Sequence, residues 1–364
     1  MNLFSKAGIK VVELRDYGFT VDLVLQEPIE SSLFSKLYRQ LLLEYNVLMI
    51  QLKDVFPIVR LLPYTSRHHS LYRYRWILTI LTFTTVFLTG FGLSQSLYSL
   101  TGHISTIELI LYSLSYTILF LTTLLSHELG HVFASRKNSI EVEGPVLIPA
   151  PPIQLGFIGT LGAVIFTKTP PPTRKSLAQL GISGPLTGFI IATLVGLLGL
   201  YLSPILPFET VEKLVETGEV QPLAFASLIF YLILGLKNTE SGVLIIHPIL
   251  FIAYIMYYIT FLNLLPIGQL DGGHVVRSII GSREFKFIST LTPIVFLVVG
   301  LTLQVLYGIG FVYIGIGLLT TILYVIIGVH GHPGVANQYD ESKCKWCILT
   351  YIVLLVLTIP IPLT

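Results

Sequence analysis

The chain has 364 residues, 53% of them hydrophobic and only 12% charged. That balance excludes an ordinary soluble domain, and a net charge of +2 is too small to suggest a nucleic-acid partner. Two cysteines, Cys344 and Cys347, cannot build a disulfide framework.

Residues 1–70 read as a soluble α/β accessory domain. Alternation in IKVVELRDYGFTVDLVL predicts two strands joined around Asp16 to Gly18. SSLFSKLYRQLLLEY has helical spacing, with Leu33, Leu37, Leu41 and Leu42 on one face and Ser31 or Ser32 as the cap. NVLMIQLKD and FPIVRLLP predict two more strands. No signal-peptide pattern stands in this mixed polar and apolar stretch, so insertion is expected to rest on internal spans.

Apolar runs of about 18 or more residues predict membrane-spanning helices. They fall near 76–97, 107–135, 177–202, 245–265, 287–306, 308–329 and 346–363. Residues 145–172 are apolar but rich in Pro and Gly, and cannot continue as a helix. Irregular backbone at membrane depth must be buried in protein or line a wet cavity, so this stretch reads as a re-entrant or hairpin loop beside a site. Residues 223–236 are too short for a crossing. The expected fold is an α-helical polytopic membrane protein of about seven spans, with that short segment, the loop and the N-terminal domain. Its division is 1–70, a membrane core over 75–285, and additional helices over 286–364.

Basic residues orient the spans. With the N-terminus inside and 223–236 not crossing, 20 of the 22 Lys and Arg residues lie inside, and only Lys213 and Lys237 fall outside. The C-terminus is then outside, and His127 and Asp271 lie at corresponding depths near the inner side. A multi-pass protein of the cell membrane with a cytoplasmic N-terminus is the expectation.

The chemistry centres on LLSHELGHVFAS, residues 124–135. His127 and His131 are i and i+4 on a helix, so both imidazoles reach one ion. Zinc suits such ligands. Glu128 is placed to take a proton from a metal-activated water, whose pKa falls to near 7. A chance polar face is the competing reading. It is weak inside a span, where ionisable groups cost several kcal/mol and mark function.

A catalytic zinc usually takes three protein ligands. The extended HExxHxxGxxH pattern fails, because position 134 is Ala and 137 is Lys. Glu141 and Glu143 lie past the helix end beside basic residues and read as solvated charges. Asp271, in NLLPIGQLDGGH, is the other acid deep in apolar sequence. Pro266 ends the preceding helix, Gly272 and Gly273 permit an unusual turn, and the metal would satisfy the carboxylate. A helix N-cap is the other reading of Asp271, compatible with the first.

HELGH in a membrane helix, followed by N-x2-P-x4-D-G from Asn263 to Gly272, resembles the site-2 proteases, intramembrane zinc metalloproteases. ISGPLTG at 182–188 resembles the Gly-Pro helix of that family, and HPILFIAY precedes the aspartate motif. The N-terminal domain, PPIQLGFIGT and LLPIGQLDGG look most like the branch with plant chloroplast homologues. The resemblance covers about residues 75–285. It implies one catalytic zinc held by His127, His131 and Asp271, with Glu128 as the base. It also implies an Asn263 amide that hydrogen-bonds the substrate backbone or the oxyanion; helix packing is the alternative role. No PDZ insertion or soluble C-terminal regulatory domain is visible.

The expected substrates are single-span membrane proteins, with the lipid bilayer as the other partner. A substrate helix must unwind to expose its scissile carbonyl, and the extended segment can then add to an edge strand. Alternation in PIQLGFIGTLGAVIF makes residues 152–166 the candidate edge, with Gln154, Gly156 and Gly159 as substrate contacts. A structural plug over the zinc is the alternative. Cys344 and Cys347, with His330 and His332 upstream, form a weak candidate for a second zinc or redox site. His247 and His274 read as packing or hydrogen-bonding residues, with His274 placed to touch substrate. Arg67, His68, His69, Arg73 and Arg75 read as a basic inner-face anchor. A metal permease or an inactive scaffold that binds membrane proteins are the rival functions. A permease would not need a glutamate between the histidines.

Overall fold

The computed structural model describes residues 2–102, 104–329 and 331–363. A short helix, α1 (Asn2–Lys6), precedes a four-stranded antiparallel sheet of β1 (Val11–Asp16), β2 (Val21–Leu25), β3 (Val47–Leu52) and β4 (Ile58–Pro63), in the order β1-β2-β4-β3. Helix α2 (Ser31–Tyr45) lies on it and buries Phe34, Leu37, Tyr38, Leu41 and Leu42. Leu33 is only partly buried, because a 3.6-residue period carries Phe34 and Tyr38 into the core instead. Neither serine caps α2: Glu30 occupies the N-cap and makes no side-chain cap bond.

This sheet is tied to the helical part of the chain largely through the segment around Asn337. Gln51 on β3 bridges Asn337 in parallel, and its buried amide accepts from Ile29 N at 3.0 Å and donates to Asn337 Oδ1 at 3.1 Å. Ala336 N and Asn337 N donate to the carbonyls of Pro171 and Pro172. Tyr38 donates to the Pro170 carbonyl at 2.8 Å. The segment 336–340 is thus clasped between the N-terminal sheet and the start of the Gly-Pro helix.

Among the described residues, five helical stretches are long and apolar enough to cross a membrane. They are α3 (Arg75–Thr101, extended back to Ser70 by a 3-10 turn), α4 (Thr106–Lys137), α5 (Arg174–Leu202), and, after the site turn, α10 (Ser282–Tyr307) and α11 (Phe311–Leu323) continued to Gly328. Outside these, α6 (Phe208–Glu216) and α7 (Leu228–Leu234) are short, and α7 is all that 223–236 contains apart from a three-residue strand. The other two predicted spans are shorter than the apolar runs that suggested them. Helix α8 (Pro248–Asn263) has 16 residues and α12 (Lys345–Thr358) has 14. His247 caps α8 by accepting from Ile249 N at 3.1 Å, and Pro248 fixes the first turn. At 1.5 Å per residue α8 is about 24 Å long, less than a hydrocarbon core of about 30 Å. The turn that follows brings α9 (Asp271–Ile279) to the site.

The Pro- and Gly-rich stretch is a two-stranded antiparallel hairpin, β5 (Val142–Pro149) with β6 (Thr160–Thr167). Among the described residues the far edge of β6 pairs with no strand. The basic strap at 67–75 crosses this hairpin: His69 stacks on Phe166 with centroids 3.8 Å apart, and His68 bonds Glu143.

Candidate metal centre

Small residues decide how closely the site helices approach. Helix α4 lies on α5 across Gly130, where a Cβ would stand 2.4 Å from the Ser183 carbonyl. Thr187 donates to the Ser126 carbonyl at 2.9 Å across the same seam. On the next faces of α5, Gly184 and Gly188 lie against the rings of His131 and His127, and Gly181 against the Asp271 backbone and His274. Glycine at this spacing lets membrane helices approach backbone to backbone. The Gly-Pro helix is therefore the spine that draws α4 and α9 to one point.

At that point His127 Nε2 and Asp271 Oδ2 are 3.1 Å apart. His131 Nε2 stands 3.2 Å from Asp271 Oδ1 and 3.2 Å from His127 Nε2. These donors come from motifs 144 residues apart in sequence. Ligands about 2.0–2.1 Å from a tetrahedral zinc lie about 3.3 Å from one another, so the donor triangle has the size the ion requires. The outer ring nitrogen of His131, Nδ1, lies 2.8 Å from the Leu180 carbonyl. That partner puts the proton on Nδ1 and leaves Nε2 its lone pair, the usual outer partner of a metal-binding imidazole.

Glu128 is buried beside the histidines and lines the same cavity of about 350 Å³. Asn263, at the end of α8, lines it too, with Ala163, Val164, Ile165 and Thr167 of β6. The tip residues differ from expectation. Gln154 donates to the Leu88 carbonyl on α3 at 3.0 Å. Gly159 is pinned against Thr85 and Val86 at a φ of +88°, and Gly156 forms the tip turn at +82°. None of the three lines the cavity; β6 presents its middle there instead.

Asp271 does not cap α9. Leu270 holds the N-cap position, Asp271 is the first helical residue, and its carboxylate faces the histidines. Gly272 and Gly273 are helical rather than turn residues, needed because α9 presses on the Leu264–Gly268 backbone; Gly268 supplies the positive φ. Glu143 is buried, not solvated: it accepts from His69 N at 2.8 Å and meets Lys168 at 3.4 Å. Glu141 accepts from the Tyr64 hydroxyl at 2.7 Å. Cys344 and Cys347 are joined in a disulfide, which removes their thiols as ligands for a second metal. His330 lies outside the described residues.

The profile described as Peptidase family M50 matches residues 115–307, more than half of the chain, with His127, Glu128, His131, Asn263 and Asp271 inside it. The chain belongs to Peptidase family M50. This is the site-2 protease family that its motifs resemble. Among similar proteins, the "Probable zinc metalloprotease EGY2, chloroplastic" of Arabidopsis thaliana is 28% identical over 157 residues, covering 43% of this chain and 27% of the relative. The "Probable zinc metalloprotease EGY1, chloroplastic" of the same plant is 28% identical over 162 residues, 44% of this chain and 28% of the relative. Its namesake in Oryza sativa subsp. japonica is 29% identical over 160 residues, 43% and 26%. The chain thus matches little more than a quarter of these relatives' length. No solved structure matches.

Two features of this M50 site are silent in the sequence read alone: the Leu180 carbonyl and the glycine seats under each imidazole. The Gly-x-x-Gly-Pro-x-x-Gly spacing at 181–188 is the signal that carries them.

Proposed function

We propose that the chain is an intramembrane zinc metalloprotease that cleaves single-span membrane proteins within or near their spans. The observation that carries this reading is the donor triangle of His127, His131 and Asp271, with Glu128 at its side, in a cavity among apolar helices. The two histidines and Asp271 would hold the zinc. When bound, it acidifies a water to a pKa near 7 and polarises the scissile carbonyl. Glu128 takes the proton of the attacking water and returns it to the leaving amine. Asn263 donates its amide to the carbonyl oxygen as charge develops there. The unwound substrate adds to the free edge of β6 near Ala163 to Ile165, where main-chain pairing tolerates many sequences. Burial in apolar surroundings raises the effect of each fixed dipole.

The proposed arrangement has seven crossings, with α8 and α12 as short spans. The N-terminus is cytoplasmic, residues 1–70 form the accessory domain, and 286–364 add helices outside the protease core at 75–285. The inside-positive count of Lys and Arg supports this orientation, and a cell membrane is the proposed site.

Purified wild type and Glu128→Gln, each assayed for metal and for cleavage of a single-span panel, test the reading. Zinc near one per chain in both, with chelator-sensitive cleavage by wild type alone, is the expected result. A metal permease or a scaffold would keep its function in Glu128→Gln. A wild type without zinc sinks the mechanism.

A further inference from the structure

Beside the ligands, α9 carries a histidine that the mechanism above leaves idle. His274 lies three residues after Asp271, on the same face of the helix. Its Nδ1 stands 2.7 Å from Nε2 of His332. His332 is buried, and its own Nδ1 accepts from Gly334 N at 2.8 Å.

These contacts order the protons. A backbone N–H can only donate, so His332 Nδ1 is the acceptor. In a neutral ring one nitrogen accepts and the other donates. His332 therefore carries its proton on Nε2 and gives it to His274 Nδ1. His274 in turn carries its proton on Nε2. That nitrogen has no hydrogen-bond partner among the described residues, and the ring lines the same cavity as His127, Glu128 and Asn263. Gly181 lets α9 close on α5 at this point, since any Cβ there would stand 2.6 Å from the Asp271 carbonyl oxygen and 2.8 Å from His274 Cβ.

We propose that His274 is a further catalytic residue, a neutral donor whose Nε2–H binds the scissile carbonyl oxygen, and that His332 is the positioning residue that fixes its tautomer. The proposal rests on the protease reading. A fixed donor aimed at developing charge accelerates acyl transfer without gaining or losing a proton. A second donor suits the geometry: Asn263 reaches the cavity from the end of α8 and His274 from α9, so the two approach the oxygen from different helices. His332 lies four residues before the segment clasped at Ala336 and Asn337, which ties the chain carrying the positioning ring to a fixed frame.

The test uses the full chain, zinc-loaded, with His274→Leu, His274→Gln, His332→Leu and His332→Gln beside wild type and Glu128→Gln. Zinc content, kcat and KM on a single-span substrate, and ring-nitrogen NMR of histidine-labelled protein are read for each. Removing one oxyanion donor costs about 10²–10³ in kcat. That loss is expected for His274→Leu with zinc content and KM unchanged. His274→Gln, which can still donate, recovers part of it. His332→Leu gives a smaller loss and mixes the His274 tautomers, and His332→Gln restores both. In wild type the spectrum is expected to show His274 protonated at Nε2 and bare at Nδ1. A His274→Leu enzyme with wild-type kcat, or with its zinc lost, overturns the proposal, as does the opposite tautomer. Zinc-loaded wild type that cleaves nothing fails the protease reading itself and takes this proposal with it. Wild-type cleavage undiminished by His274→Leu overturns only the present one.

Discussion

Replacing Gly184 by alanine tests how the site is built without touching a ligand. A Cβ at 184 would lie 2.0 Å from His131 Nε2 and 2.5 Å from its Cδ2 and Cε1. Ordinary carbon–nitrogen contact begins near 3.4 Å, so the ring or the helix must move by roughly 1.4 Å, against a tolerance of about 0.2 Å for metal–ligand distances. The ring cannot retreat freely, because Nδ1 is tethered to the Leu180 carbonyl at 2.8 Å. Helix α5 cannot retreat either without parting from Gly130 and Ser126 on α4. Glycine to alanine inside a helix normally stabilises by about 1 kcal/mol. Overpacking at the ring costs about 1–3 kcal/mol against that gain, so Tm is expected at or modestly below wild type, with zinc affinity reduced at least 10–100-fold, about 1.4–2.8 kcal/mol. Cleavage falls in parallel. Gly188→Ala, whose Cβ would stand 3.0 Å from His127 Cβ, is expected to lose less. Metal content after dialysis against a zinc buffer, read beside thermal unfolding, is the assay. Wild-type zinc affinity in Gly184→Ala would refute the glycine-seat argument.

Other outcomes follow from the same geometry. Asp271→Ala is expected to abolish zinc retention and cleavage together, whereas Glu128→Gln keeps the metal; retention by Asp271→Ala would remove it from the ligand set. A chelator should stop cleavage and added zinc restore it, and unchanged rates after verified metal removal would contradict this. Gln51→Leu strands Ile29 N–H and leaves Asn337 Oδ1 with Tyr339 N as its donor. A loss of about 1–3 kcal/mol in stability is expected, measured by denaturation of the full chain, and an unchanged midpoint would deny the clasp its weight. Arg60 makes a two-pronged pair with buried Asp22 and holds that carboxyl below its ordinary range. A depressed carboxyl stabilises above its unfolded pKa and loses that contribution as pH falls through the folded one. Stability of the N-terminal sheet should therefore drop on acidification below the usual carboxylate range, and Asp22→Asn should flatten that dependence in a pH series of unfolding midpoints.

The ionisable residues of the site were legible because the surrounding sequence makes them costly. A histidine pair and a lone aspartate within apolar runs have few satisfactory environments except each other and a cation. The four strands and α2 were legible from their periods. What escaped reading depends on partners from distant segments. Glu143 reads as solvated beside Arg136 and Lys137, yet His68, His69 and Lys168 bury it by folding back over the hairpin. The hairpin was visible in its Pro and Gly content and its alternation, but the end of β6 that meets the cavity depends on how the strand lies against α4. The tip glycines that looked like substrate contacts serve the turn and the packing on α3 instead. Hydropathy likewise overstated α8, since a run of apolar residues does not reveal that His247 and Pro248 start the helix late and the turn after Asn263 ends it early.

That shortness has a use. A longer helix would carry Asp271 past the histidines, whereas α8 stops at Asn263 and gives way to a turn. Such a turn exposes backbone groups that lipid cannot satisfy. Here they are met inside the protein: Gly268 N donates to Ser289 Oγ at 3.1 Å on α10, Leu264 and Leu265 N–H groups donate back to carbonyls of α8, and Ile267 N–H donates to the Leu265 carbonyl. Helix α10 therefore does more than extend the bundle, for Ser289 helps close the turn that leads into α9. The same stretch leaves Asp271 at the first turn of α9, where the positive end of the helix favours an ionised carboxylate. Asp271, His127, His131 and Glu128 then sit together among apolar helices, held by a helix end, a carbonyl and glycine seats.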